Sequence, residues 1–235
     1  MFNAINMSKF TLVIILFLLT FLQTEQIFAQ ISTDPLLPGR YAQARADIPV
    51  FFKEKYPDLD SLDSANGLAI FVSYAADTIN LKELNLISFE DNIEEPDDEM
   101  KLDNAIEESQ MKVYSSFPYK EDGWQFIEMK LPEGYEIFKL LIRGNKVKAE
   151  FGEFYTQGDE VVKLHRKEKL TASVIVPCKV KKVELSDKTL KGDQFIYGYC
   201  EAESETYYRM EYIMEEKLLQ LKKSFKVYFK FKPSN

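Results

Sequence analysis

The chain carries 38 acidic against 30 basic side chains over 235 residues, a formal charge of -8 that excludes the basic surface needed to hold nucleic acid. One histidine, two cysteines and nine scattered glycines exclude a usual structural zinc site without carboxylate help, and phosphate-cradling glycine loops as well. An apolar share of 46% is enough for one sizeable core or two small ones.

At the front, Lys9 precedes an uncharged apolar run over 10–22, and a polar stretch at 23–26 leads to the small residue Ala29. This three-part build predicts a secretory signal peptide over 1–29, removed so that the mature protein starts at Gln30. The alternative is an uncleaved anchor, but the run has 13 residues where a spanning helix needs about 20. No other stretch approaches that length, so no transmembrane segment is expected after cleavage. No cysteine stands just after the run, as Cys178 and Cys200 lie far downstream, which argues against lipid attachment at the new N-terminus. The expected location is the periplasm or the extracellular space.

Residues 30–90 read as a small α/β part. Asp47 can cap a short helix with Pro49 in its first turn, and Tyr56-Pro57 ends it because the residue before proline avoids helical angles. The segment Asp58 to Gly67 has the look of a turn, with calcium as the sharper alternative for its aspartates. Next, 67–74 is an uncharged, β-branched and aromatic run, the profile of a strand covered on both faces, and 84–89 can return as its partner. Residues 91–110 are then predicted as an acidic linker or exposed helix: between Glu90 and Glu108 ten carboxylates stand against the single Lys101, with Pro96 in their midst.

From 111 to 235 the chain is a series of short extended runs, at 124–131, 135–143, 146–155, 160–166, 170–185, 194–202, 206–214 and 225–232. Gly144-Asn145 and Gly158-Asp159 are turn pairs between such runs, so neighbours are expected to form antiparallel hairpins. The fold class is therefore mainly β, α+β overall: an antiparallel meander closed as a barrel or folded as a sandwich, preceded by a short helix-strand-strand unit. Within 173–185 the inward parity slips at Lys181-Lys182, which predicts a β-bulge. In the last strand Val227, Phe229 and Phe231 alternate with Lys226, Tyr228, Lys230 and Lys232, predicting one buried and one wet face at an edge or a solvated face. The preceding lysines, Lys217, Lys222 and Lys223, extend the same basic run.

Cys178 and Cys200 flank a turn region over 186–193. A hairpin symmetric about Thr189 sets them face to face, at a spacing a disulfide tolerates, and an exported protein would keep that bond. His165, the lone histidine, sits in Leu164-His-Arg-Lys with no nucleophile elbow near it, so a surface role is expected. Carboxylate pairs for glycoside chemistry are open to geometry alone. One feature has binding potential: Phe195, Tyr197 and Tyr199 share a face of one strand, and Tyr208, Met210 and Tyr212 a face of the next. Such a face can stack sugars or receive a partner, but tyrosine also fills cores, and the core is the favoured assignment.

Phe51-Phe-Lys-Glu-Lys-Tyr-Pro57, then Ala69-Ile-Phe-Val-Ser-Tyr74 and Leu81-Lys-Glu-Leu-Asn-Leu-Ile87, with Ser224-Phe-Lys-Val-Tyr-Phe-Lys-Phe231 near the end, resemble parts of the periplasmic C-terminal domain of TonB-type energy transducers. The resemblance is partial, confined to about residues 50–87 and 224–232. It implies an envelope domain that binds partner peptides by adding a strand to an exposed edge. The expected function is a non-catalytic, exported binding or interaction module with an envelope protein as partner and with neither cofactor nor metal. A small-ligand carrier built on a closed barrel with an apolar cavity is the alternative, and a secreted hydrolase the third.

Overall fold

A computed structural model describes residues 30–78, 111–130, 135–155, 161–211 and 217–234. The expected signal at 1–29, the return strand at 84–89, the acidic segment 91–110, the turn at 158–159 and Tyr212 lie outside the described residues.

The chain enters through β1 (Ile31–Thr33) and three short helices: α1 (Leu37–Ala46), α2 (Val50–Lys55) and α3 (Leu59–Ala65). Pro38 lies in the first turn of α1 and Pro49 is the N-cap of α2, positions where a missing N–H costs nothing. Tyr56 ends α2 as expected, whereas Asp47, expected to cap it, is the C-cap of α1. The segment read as a turn is α3, a correction with a local cause: Asp58 precedes it, Asp60 favours its first turn, and Leu59 and Leu62 turn one face inward.

β2 (Leu68–Thr78), β3 (Lys112–Glu121), β4 (Trp124–Lys130), β5 (Glu136–Arg143) and β6 (Lys146–Phe154) follow, each pairing antiparallel with the next. Two of their turns are two-residue hairpin loops. Asp122 and Gly123 both have positive φ (48° and 76°), and Gly144 (φ 60°) with Asn145 closes the pair Arg143–Lys146. After β7 (Val162–Lys163) come β8 (Ser173–Leu185), β9 (Ile196–Ser204), β10 (Tyr207–Glu211) and β11 (Lys217–Phe231). β8 joins β6 to β9, and β9 joins β11, which returns to β2. The meander thus closes as an antiparallel eight-stranded barrel of β2, β3, β4, β5, β6, β8, β9 and β11. The predicted bulge sits between Val180 and Lys182.

β11 is not at an edge, and on its expected wet face Lys226 and Lys232 are exposed while Tyr228 is half-buried and Lys230 buried. It pairs with β2 along one side and with β10 and then β9 along the other. Its inward row Leu221, Lys223, Phe225, Val227, Phe229 and Phe231 is buried throughout.

Eight strands enclose a space that side chains fill. Here Phe225 is the hub, its ring centroid 4.9 Å from that of Phe138, 5.4 Å from Phe151 and 6.2 Å from Phe71. The helices lie on the outside, where Tyr41, Ala44, Ile48, Phe52 and Leu59 cover Leu68, Ile70 and Val113. This explains why the β2 run carries no charge: Ala69 and Phe71 face the barrel interior while Leu68 and Ile70 face the helices. Gly67 (φ 91°) lets the chain turn into β2 close to β11, since a Cβ there would meet the carbonyl oxygen of Lys230 at 1.9 Å. The strand of the 30–90 part is accordingly the first stave of the barrel. Among the described residues no helix is long and apolar enough to cross a membrane.

Candidate functional site

Three charged residues end or interrupt inward apolar rows. In β5 the inward row runs Ile142, Leu140, Phe138 and then Glu136; in β6 it runs Val147, Ala149, Phe151 and then Glu153. In β11 Lys223 precedes Phe225 and Val227. The pairings of these strands bring all three charges to the barrel end opposite the two short hairpin loops.

There the Lys223 ammonium donates to Glu136 Oε1 at 2.6 Å, to Glu153 Oε1 at 2.8 Å and to the Tyr74 hydroxyl at 2.9 Å. Its charge lies 4.3 Å from the centroid of the Phe151 ring. Tyr74 and Tyr114 donate to Glu136 Oε2 at 2.6 and 2.8 Å. Tyr207 donates to Glu153 Oε1 at 2.5 Å and Tyr155 to Glu153 Oε2 at 3.2 Å, with Arg209 Nη1 4.0 Å from Glu153 Oε1. Every carboxylate oxygen is engaged, and two negative charges face two positive ones. That is the condition under which buried charge is tolerated.

Burial alone would raise the carboxyl pKa of Glu136, but the Lys223 charge and three hydrogen bonds hold it below its ordinary range. Burial first, then the adjacent carboxylates, pushes the Tyr74, Tyr114 and Tyr207 hydroxyls upward, and Tyr155 is raised to about 12. A general acid needs the opposite treatment of its carboxyl, so Glu136 is unsuited to protonate a leaving group. The tyrosines remain neutral donors.

A second charged knot lies outside the barrel. Asp63 of α3 accepts from Tyr41 at 2.6 Å, from Lys230 at 2.8 Å and from Arg45 Nε at 3.0 Å. Tyr41 in turn accepts from the Leu68 amide at 3.3 Å, which ties α1 and α3 to β2 and β11. Lys230, expected on a wet face, is 7% exposed because the helices cover it and Asp63 neutralises it.

The cysteine pairing requires correction. The β8–β9 register places Cys178 opposite Ser204 and Cys200 opposite Val183, and both thiols are free. The hairpin closes later than a centre at Thr189 would have it, since Ser186 and Tyr197 bracket the loop. From Cys178 to Val183 β8 advances five residues at about 3.3 Å each, beyond the roughly 7 Å between α-carbons that a disulfide bridges.

Phe195, Tyr197 and Tyr199 share the outer side of β9 by alternation, and each packs against neighbours there. Phe195, Tyr197 and Tyr199 lie along β9 and its approach: Phe195 under the Lys230 and Lys232 ammonium groups at 4.3 and 4.9 Å, Tyr197 edge-on to Tyr41 at 5.4 Å, Tyr199 beside Tyr228 at 4.7 Å. Tyr208 belongs to β10, beyond a break in the ladder at Glu205-Thr206, where it pairs with Lys163 and Gln220. His165 is exposed between short bends. No group of three or more His, Cys, Asp or Glu that could hold a metal ion occurs among the described residues. Two surface depressions flank these elements. One of about 250 Å³ is lined by Arg45, Ile48, Lys53, Leu59 and Asp60, and one of about 410 Å³ by Lys163, Leu164, Glu168, Thr171 and Ile175.

Glu136, Glu153 and Lys223 escaped the sequence-based search for a site. Their signal was parity: Glu136 and Glu153 are the charged ends of period-2 apolar rows, and Lys223 stands inside such a row, between Leu221 and Phe225. No protein-family model, no curated protein and no solved structure matches this chain.

Proposed function

We propose that the chain is an exported, non-catalytic binding module of the cell envelope, which engages a protein partner through its outer surface. The supporting observation is how the interior groups are used: Lys223, Glu136 and Glu153 satisfy one another together with tyrosine hydroxyls, above a plug of phenylalanine rings. Groups tied up in this way hold the barrel together and leave recognition to its outside. Strand addition is the mode that fits, as the partial likeness to TonB-type domains also implies. Among the described residues β1 pairs with β8 alone, which leaves its other edge open, and its Ser32 and Thr33 are exposed. A photo-crosslinking residue at Ser32, introduced into the full chain in its envelope, is expected to capture a discrete partner. Thr33→Pro, added to that chain, removes a β1 N–H that faces away from β8 and should abolish that capture with the barrel intact; equal capture from a site on the far wall, such as Lys120 of β3, would count against this function.

The carrier alternative retains one favourable observation, the tyrosine-ringed and partly open carboxylate of Glu136, 21% exposed, at the barrel end. Native mass spectrometry of the purified protein distinguishes the two, since a carrier releases a stoichiometric small molecule.

A further inference from the structure

We propose that Gln30 is a modification site, its side-chain amide closed by its own α-amino group into a pyroglutamyl lactam. This rests on the export proposed above, because Gln30 gains an α-amine only when the chain is cut after Ala29.

The fold places this residue in the right setting. Gln30 is exposed and precedes the ladder. β1 takes hold at the very next residue: Ile31 is 6% exposed and opposite Val183, the Ser32 hydroxyl donates to the Val183 carbonyl at 3.3 Å, and the Asp34 amide donates to the Leu185 carbonyl at 3.1 Å. The nitrogen and side chain of Gln30 are therefore outside the β1 register and able to adopt the ring geometry. Closure spares the Gln30 carbonyl and the Ile31 N–H, so it leaves the β1–β8 pairing as it is.

The chemistry is balanced without a co-reactant. The unprotonated α-amine attacks the side-chain amide carbon Cδ, a new C–N bond forms in a five-membered ring, the bond from Cδ to the side-chain nitrogen breaks, and that nitrogen leaves as ammonia with the proton released by the attacking amine. An α-amine titrates near 7.7 to 8.0, so a reactive fraction is present at neutral pH. The product exchanges an ammonium for a neutral lactam beside a buried isoleucine and offers no free amine to an aminopeptidase. That protection matters at a terminus where a three-residue strand fastens the chain to β8.

The test is to express the full chain from Met1 in a bacterium with an intact envelope and sequence the N-terminal tryptic peptide, which ends at Arg40, by tandem mass spectrometry. A synthetic peptide with an open Gln30, carried through the same handling, measures ring closure after lysis. The expected result is a peptide beginning at residue 30, lighter by one ammonia, well in excess of that control, and resistant to aminopeptidase. A Gln30→Ser chain is expected to keep its open amine and to melt like the parent. An unmodified Gln30 terminus, or a cut elsewhere, overturns the lactam and leaves export standing; a chain that retains Met1 overturns both.

Discussion

Lys223 and Glu153 meet at 2.8 Å inside the barrel with side chains only 4% and 2% exposed, and the same ammonium reaches Glu136 at 2.6 Å. Charges this deep are tolerable together and costly apart, because removal of one leaves the other desolvated without compensation. Lys223→Met preserves the apolar row of β11 but strands two carboxylates. It is expected to destabilise the fold by about 3 to 5 kcal/mol in urea unfolding. Adding Glu136→Gln and Glu153→Gln to that variant should recover most of the loss, since the three residues act as a unit.

The same cluster sets an acid limit. Folding holds the Glu136 carboxyl below its ordinary pKa, so the folded state binds fewer protons there than the unfolded state, and stability rises with pH between the two values. The contribution is complete above the unfolded pKa of about 4.3 and is lost as pH falls through the lower, folded value. Unfolding free energy measured from pH 6 downward should decline across that interval. In Glu136→Gln the decline should be shallower, and identical pH profiles for the two proteins would remove the linkage.

Much of the barrel was legible because its strands obey period 2. The β4, β5 and β6 boundaries fall within a residue or so of those read from the sequence, and the bulge falls where the parity of β8 slips. The β3 strand escaped because Ser115, Ser116 and Pro118 dilute its apolar alternation, although Ser115 and Ser116 are buried. The first half of β11 escaped because Lys222 and Lys223 read as one wet basic run, whereas alternation sends Lys222 out to Glu203 and Lys223 in to Glu136. The disulfide was misplaced for a related reason: hairpin register depends on where the loop closes, and the polar stretch 186–195 offers several centres. The charged knots were beyond reach, since what joins Asp63 to Lys230 is tertiary closure of the barrel and not spacing along the chain.

Thiol chemistry checks the register directly. Cys200 is fully buried, and burial first raises its thiol pKa; Cys178 is partly exposed and is raised by burial as well. Thiolate is thus scarce at both. Under native conditions iodoacetamide should leave Cys200 unmodified and label Cys178 slowly, while denaturation should release two reactive thiols per chain. Addition of a reductant is expected to leave the melting temperature unchanged, and a drop of several degrees would instead indicate a bond between them.

The outer knot should control the helices separately from the barrel. Asp63 is the single acceptor that joins Tyr41 and Arg45 of α1 to Lys230 of β11, and it is 8% exposed. Asp63→Ala removes that acceptor and leaves Lys230 buried without its counter-charge, at an expected cost of about 3 kcal/mol. Asp63→Asn keeps an acceptor for the Tyr41 hydroxyl while losing the charge, and its cost should fall between the parent and Asp63→Ala. The location of the effect is the sharper readout. In hydrogen exchange, amides of α1, α2 and α3 should lose protection in Asp63→Ala while those of β4, β5 and β6, which touch neither helix nor knot, keep theirs. Uniform loss across barrel and helices would mean that the helical layer and the barrel unfold as one unit.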